Sequence, residues 1–229
     1  AMQEAGREPK AASGRSGAFY KSGYYTYTKQ VDIPAEWKDK RLYLEFEGVY
    51  PNASVYLNDR KVGGCQYGYS TFLVELTDFC AGEENEIRVE VDDTKHPNSR
   101  WYAGAGIYRP VWLMVGAKGH IAPYGVRITT ESYDPAEIAV DVTADGEKSG
   151  EKILVDIYDG DNLLVSAEGT HSTLKIPNAK LWNAEHPHLY RCHVQLLDGE
   201  KLLDEVWEPF GIRKLEWDAK KGFLVNGER

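Results

Sequence analysis

Apolar residues in this chain tend to recur at every second position, in short runs separated by turn-forming residues. In 41-RLYLEFEGV-49 the alternation marks a half-buried strand. The stretch 53-ASVYLNDRKVGG-64 reads as a hairpin, with Asn58-Asp59 turning the chain between Val55-Tyr56-Leu57 and Lys61-Val62. Further strands are expected at 70-STFLVEL-76, 86-EIRVEV-91 and 111-VWLMV-115. No window longer than a turn or two keeps an apolar stripe at helical spacing, so the expected fold class is all-β.

The alternation lapses at 116-GAKGHIAPYG-125, which is rich in Gly and Pro and marks a domain boundary. A second set of strands follows at 126-VRITTE-131, 137-EIAVDVTA-144, 152-KILVDIYDGDNLLVSAE-168, 172-STLKIP-177 and 189-LYRCHVQLLDGEKLLDEV-206, with hairpin turns at Gly160-Asp161 and Asp198-Gly199. About seven short strands with regularly spaced turns suggest an immunoglobulin-like β-sandwich over 118–212, without the Cys…Trp…Cys signature of true immunoglobulin domains. The first segment, 1–117, has longer loops and suits a jelly-roll β-sandwich. The tail 213-RKLEWDAKKGFLVNGER-229 is not expected to close either sandwich. Its Lys221–Gly227 portion reads as a hairpin opening something further on.

Composition narrows the function classes. A formal net charge of −9 and no basic run longer than two residues argue against nucleic acid and against an anionic membrane surface as partners. No apolar run approaches the ~20 residues that span a bilayer as a helix. The three cysteines, Cys65, Cys80 and Cys192, are odd in number and lack CxxC spacing, which disfavours a disulfide framework or zinc knuckle and suits a reducing cytoplasm. His186-Pro187-His188 fits a turn better than a metal site, and no metal ligand set or cofactor motif is expected in this chain. Nucleophile elbows, SxxK and Walker sequences are absent, and Gly104-Ala105-Gly106 lacks the third glycine of a dinucleotide fingerprint.

Three features invite a chemical reading. Asn85-Glu86 could be mistaken for a hydrolase acid, but alternation puts Glu86 on the solvated face of a strand, without the burial that raises a carboxyl pKa. Asn52-Ala53-Ser54 matches a glycosylation sequon, and the plainer expectation is an Asn bonding its own turn. The loop 97-PNSRWYAGAGIYRPVW-112 gathers aromatics, Arg and Gly. In one reading Trp101, Tyr108 and Trp112 brace the sandwich mouth and Arg109 locks the turn before Pro110. In the other, Asn98, Ser99 and Arg100 offer hydrogen bonds while Trp101 stacks on the apolar face of a sugar.

Taken in order along the chain, several stretches resemble glycoside hydrolase family 2, especially its β-galactosidase-like members. The loop 97–112 is similar to the one closing that family's first domain. The stretch 34-PAEWKDKRLYLEFEGVYPNASVYLN-58 is similar to its P-x-x-W-K-x-K-R strand pair, and 67-YGYSTFLVELTDF-79 to its Y-G-Y-x-x-F strand. In the second half, 181-LWNAEHPHLYRCHVQLLDG-199 and 209-PFGIRKLEWDAKKGFLVNG-227 resemble the L-W…P-x-L-Y and F-G-I-R…G-F-x-x-N-G passages. The resemblance implies a parent that is a retaining exo-glycosidase, hydrolysing terminal β-galactosides with two carboxylates roughly 5–5.5 Å apart. It implies that those glutamates lie in a (β/α)8 barrel after Arg229, so no catalytic residue is expected here, and that any metal ion belongs to that barrel. The family's opening strands and L-P-H-D element lie before the position where this sequence begins, and 213–229 would be the lead-in to the barrel. Asn98, Ser99, Arg100 and Trp101 become the expected substrate-binding residues, at the rim of the active site. The expected partner is a β-galactoside-type sugar, in a parent that is a homo-oligomer through its sandwich domains. The alternatives are a stand-alone carbohydrate-binding module and the front part of a β-glucuronidase- or β-mannosidase-like enzyme.

Overall fold

The computed structural model describes residues 10, 22–80, 82, 84–94, 105–146 and 150–229. The described residues form strands and two short 3-10 turns, so the all-β expectation is met. The chain divides into two compact units, Ala1–Gly116 and Ala117–Arg229. Among the described residues no helix is long and apolar enough to cross a membrane.

The first unit contains β1 (Tyr24–Asp32), β2 (Arg41–Phe46), β3 (Val49–Tyr50), β4 (Ala53–Leu57), β5 (Arg60–Cys65), β6 (Phe72–Glu75), β7 (Glu84–Asp92), β8 (Gly106–Ile107) and β9 (Val111–Gly116). One sheet runs β1-β7-β4-β5, a second runs β6-β2-β9, and β3 pairs with β8. The two larger sheets share one core. Leu42, Leu44 and Phe46 of β2 and Val74 of β6 pack into the same buried cluster as Val55 and Leu57 of β4 and Val89 and Val91 of β7. Period-two alternation accounts for this, because only residues two apart share a face of a strand. Asn58 and Asp59 turn the β4–β5 hairpin with φ of 49° and 63°, the left-handed pair that matches strand twist.

The second unit contains β10 (His120–Tyr133), β11 (Ala136–Asp145), β12 (Glu151–Asp159), β13 (Asn162–Glu168), β14 (His171–Lys175), β15 (Tyr190–Asp198), β16 (Lys201–Phe210), β17 (Leu215–Asp218) and β18 (Gly222–Val225). Sheets β10-β11-β14 and β13-β12-β15-β16 sandwich a core of Ile138, Val140, Ile153, Val155, Ile157, Tyr190, Cys192, Val194, Leu196 and Ile212. The first strand starts earlier than the expected Val126. It takes in Pro123-Tyr124-Gly125 as a bulge, marked by a register shift between Ile121 and Val126 and by φ of 58° at Tyr124. A Cβ on Gly125 would stand 2.6 Å from both Ala122 O and Thr143 O, so the bulge needs glycine there.

The tail 213–229 falls within the second unit, and its hairpin is built by β17 with β18. Asn226 donates its amide to Trp182 O (3.1 Å) and accepts the Lys214 N–H (2.9 Å). Lys214 Nζ donates to Glu131 O (3.2 Å), and Arg213 N–H to Thr130 Oγ1 (3.2 Å).

Candidate functional site

The expected sugar-contacting residues Asn98, Ser99, Arg100 and Trp101 lie outside the described residues, as does Gly104. The structure does show what flanks them on both sides. Strand β7 leads toward them through Asp92, Asp93 and Thr94, and Ala105 leads on to β8 and Tyr108.

Aromatic rings gather around Tyr108. Tyr108 N–H donates to Gly48 O (3.2 Å) and its hydroxyl donates to Gly68 O (2.8 Å), which ties the segment to the β2–β3 bend and to the loop before β6. Tyr69 stands 6.5 Å from Tyr108, 5.2 Å from Tyr50 and 5.7 Å from Tyr67, centroid to centroid. Tyr50 is buried, whereas Tyr67 (63% exposed), Tyr69 and Tyr108 open to solvent. Glycines make this closeness feasible. A Cβ on Gly68 would fall 2.8 Å from Cγ of Tyr50, and one on Gly48 would fall 2.5 Å from Cζ of Tyr108.

Tyr108 is therefore neither wholly a brace nor free. Its hydroxyl is fixed and one part of its ring is open. Trp112 does not fill the sandwich mouth as the bracing reading supposed. It points outward from β9, 55% exposed, and donates its indole N–H to Glu47 Oε1 at 2.8 Å. Strand β9 is a sheet edge, so its outward positions have no neighbouring strand on one side to cover them. Arg109 is exposed, with its guanidinium 5.9 Å from the Tyr108 ring centre.

Asp93, next after β7, is a buried residue that the sequence reading passed over. Its N–H donates to Gly23 O at 2.9 Å. Burial, and then the negative charge of Asp93, push the Tyr25 phenol above its ordinary pKa. Burial likewise raises Tyr50, helped by Tyr69 and Asp93. A buried carboxylate thus stands close to two phenols where β7 hands over to the 95–104 stretch. The sequence cue was the Asp92-Asp93 doublet at the end of an alternating strand.

The remaining candidates resolve simply. Glu86 accepts the Gln30 side-chain amide (2.9 Å) across β1 and β7, as a strand-face carboxylate does. Its neighbour Asn85 is buried and donates to Gly82 O, while its Oδ1 accepts from Asn58. Asn52, with φ of 49°, donates to Asp92 O (3.0 Å) rather than bonding its own turn, so it ties β4 to the end of β7. His186 is exposed, and His188 packs its ring edge against Tyr190, centroids 4.8 Å apart. Among the described residues no group of three or more His, Cys, Asp or Glu side chains could hold a metal ion.

An exposed aromatic patch of this kind can stack on sugar C–H faces and hydrogen-bond at their edges through phenol hydroxyls not already engaged. Residues 15–109 match the model described as "Glycosyl hydrolase 2 galactose-binding domain-like", and 119–213 match "Glycosyl hydrolases family 2", together most of the chain. A beta-galactosidase of Bacteroides ovatus is 31% identical over 95% of this chain and 28% of its own length. A beta-glucuronidase of Bacteroides fragilis is also 31% identical, over 91% of this chain and 34% of its own. A solved family 2 glycosyl hydrolase from Bacteroides cellulosilyticus superposes with a TM-score of 0.86 at 31% identity, over 97% of this chain and 31% of that one. A beta-glycosidase structure from Bacteroides vulgatus gives 0.84 at 31% identity, over 97% and 30%. The chain spans between 22% and 38% of the length of these and similar curated relatives.

Proposed function

We propose, from the premise that this chain belongs to glycoside hydrolase family 2, that it is the non-catalytic front part of a retaining exo-glycosidase. The observation that carries this is the order of matches. Both family models fall on this chain in sequence, while the matches take up only 28% and 34% of the two Bacteroides relatives' own length. In this reading residues 1–117 are a jelly-roll sugar-facing domain, 118–212 an immunoglobulin-like spacer and 213–229 the lead-in to a catalytic barrel. Protonation of the leaving oxygen and glycosyl-enzyme formation fall to two carboxylates of that barrel. This chain contributes the rim. Asn98, Ser99 and Arg100 reach the substrate and Trp101 packs or stacks, and the exposed Tyr67, Tyr69 and Tyr108 offer further rings to a sugar.

The substrate in the leading reading is a terminal β-galactoside, supported by the first unit's match to a galactose-binding-domain-like model and by the Bacteroides ovatus relative. The second reading is a β-glucuronide, favoured by the equally similar Bacteroides fragilis beta-glucuronidase. The three free thiols, Cys65, Cys80 and Cys192, support a reducing compartment.

The test is to follow the reading frame past the Arg229 codon and assay the product. A frame continuing into alternating strands and helices, whose protein cleaves nitrophenyl β-galactoside faster than the β-glucuronide, is the expected result. The reverse preference replaces galactoside by glucuronide. A stop codon directly after Arg229, or turnover by the 229-residue chain alone, overturns the proposal.

A further inference from the structure

The sheet β13-β12-β15-β16 turns Val155, Ile157, Cys192 and Val194 to the core, so their strand neighbours face away from it. Register places Ser166, Asp156, His193 and Trp207 in one row across that outer face, and Leu163, Tyr158, Arg191 and Pro209 in the next. An outer face should be open, yet Asp156 and His193 are each only 8% exposed. The cover over His193 is Trp207. Its indole lies parallel to the imidazole, with 6° between the planes and 3.9 Å between the ring centres. The same ring comes within 5.4 Å of Tyr158, although β15 separates their strands by about 10 Å. Trp207 therefore lies flat across β15 instead of standing up from the edge strand β16.

A flat indole with one side on His193 presents its other side outward, and Trp207 is 43% exposed. The support beneath is fixed. Glu205 Oε2 holds His193 Nε2 at 2.7 Å, and Asp156, opposite His193 on β12, accepts the Ser166 hydroxyl at 2.5 Å. Hydrogen-bonding groups frame the ring. The Arg191 guanidinium stands 5.0 Å from its centre and donates through Nη2 to Gly160 O (2.6 Å) and Asp161 Oδ1 (3.3 Å), which leaves Nε and Nη1 for a ligand. Tyr158 sets a phenol beside the ring, tilted 47° to it. Covering His193 would need only a bulky apolar group. A preorganised flat ring with a guanidinium and a phenol at its margin is what the C–H face and hydroxyls of a sugar engage.

We infer that the Trp207 face is a carbohydrate site of the second unit, which stacks a neutral sugar ring on the indole and hydrogen-bonds its hydroxyls through Arg191 and Tyr158. A protein partner is a poorer fit. A stable interface buries about 800 Å² a side around several anchors, whereas here one indole is framed by polar side chains. Charge selects the sugar. Asp156, Asp161 and Glu205 stand around the platform against Arg191, so a uronate would meet repulsion that a neutral ring would not. The inference goes beyond the function proposed above. It needs no residue of the first unit and holds whichever glycoside the parent cleaves.

The experiment is an NMR titration of the isotope-labelled 229-residue chain with cellotetraose, β-linked mannotetraose and β-linked galactotetraose, and with β-linked tetramannuronate as the acidic control. At least one neutral tetrasaccharide should shift the Trp207 indole N–H saturably, with a roughly millimolar dissociation constant, and the uronate should not. Trp207→Leu removes the stacking face and should weaken binding about tenfold, while Trp207→Phe keeps a ring and should stay within roughly threefold of the parent chain. Trp101→Ala, in the first unit, should leave the Trp207 shift unchanged. A Trp207 signal that none of the neutral sugars moves overturns the inference, whether or not the leucine variant folds. So does binding that Trp101→Ala abolishes and Trp207→Leu spares, which assigns the sugar to the first unit and leaves the glycosidase reading standing. Tighter binding of the uronate than of every neutral sugar overturns the neutral ligand.

Discussion

Replacing Gly68 by Ala should test whether the aromatic patch of the first unit is a fixed construction or a loose cluster. The new Cβ would meet the Tyr50 ring edge, 2.8 Å from Cγ and 3.0 Å from Cβ, well inside contact distance. Tyr50 has little room to yield, since it is buried and its backbone pairs with Gly106 in the β3–β8 ladder. Forcing a methyl into such packing costs about 1–3 kcal/mol. At a central 2 kcal/mol, a domain of this size loses roughly 10 °C in melting temperature. The loss should be confined to the first unit. Urea titration read by hydrogen exchange should show β2 and β7 peptides opening at lower denaturant, with β12 and β15 peptides unchanged. The decisive comparison is the same substitution in a Tyr50→Ala background, where the methyl enters the space the ring has left and its cost should nearly vanish, a coupling typical of residues in contact. A shift within about 0.5 kcal/mol for Gly68→Ala alone, the range of an ordinary surface change, would refute the argument. So would an equal penalty in both backgrounds.

Other outcomes follow from the second unit. Burial, with Glu208 and Asp156 adding negative charge, pushes the Cys192 thiol up to about 12, so it should react with a disulfide reagent at pH 8 only as fast as the unit opens. Rapid labelling in the folded protein would contradict its burial. Asn226→Gly keeps the φ of 53° at no steric cost but deletes two side-chain hydrogen bonds. At about 1 kcal/mol each net, exchange of β17 and β18 amides should quicken by roughly an order of magnitude or more, with β11 unaffected. An unchanged ribbon would mean that Asn226 is not its latch. Hydrogen bonds from His171 and then Arg127 hold the Asp141 carboxyl below its ordinary pKa, and Lys180 does the same for Asp159. A carboxyl depressed on folding adds stability above its unfolded value, and that stability is lost as the pH falls through the folded one. The second unit should therefore weaken as the pH drops below about 4, and Asp141→Asn with Asp159→Asn should flatten that slope. An acid profile identical to the parent chain would rule out both pairs as its source.

The strand core was legible because burial on one face leaves a period-two trace, as in Leu42, Leu44 and Phe46 or Val89 and Val91. Strand β1 went unread although 24-YYTYTKQVD-32 carries the same signal. Its alternation is of Tyr with Thr, both of strand-forming type, and Tyr25 and Tyr27 are only partly buried, so the apolar contrast is weak. The aromatic patch was illegible for a different reason. Tyr50, Tyr69 and Tyr108 come from three loops and short strands, and what joins them is the Tyr108 hydroxyl on Gly68 O and the absence of a Cβ on Gly48 and Gly68. Neither leaves a periodic mark. Trp112 misled because an aromatic on a strand is usually core. On an edge strand beside Glu47 it had a hydrogen-bond partner that lets it stay outside.

The second-unit motifs that pointed to the family are structural joints. The L-W, F-G-I-R and N-G passages lie up to 46 residues apart in sequence, from Leu181 to Gly227. They meet where Arg213 covers Trp182, Gly211 makes room for it and Asn226 bonds its carbonyl. Each residue type is demanded by that meeting. A planar cation covers the indole face, a residue without a side chain lies beneath the ring, and a short amide tolerates positive φ while bridging two backbones. Sequence signals of this kind are strong because several constraints act at one place. The galactoside-or-glucuronide question is weakly marked for the converse reason, since the choice of sugar needs only a few polar contacts and no shared packing.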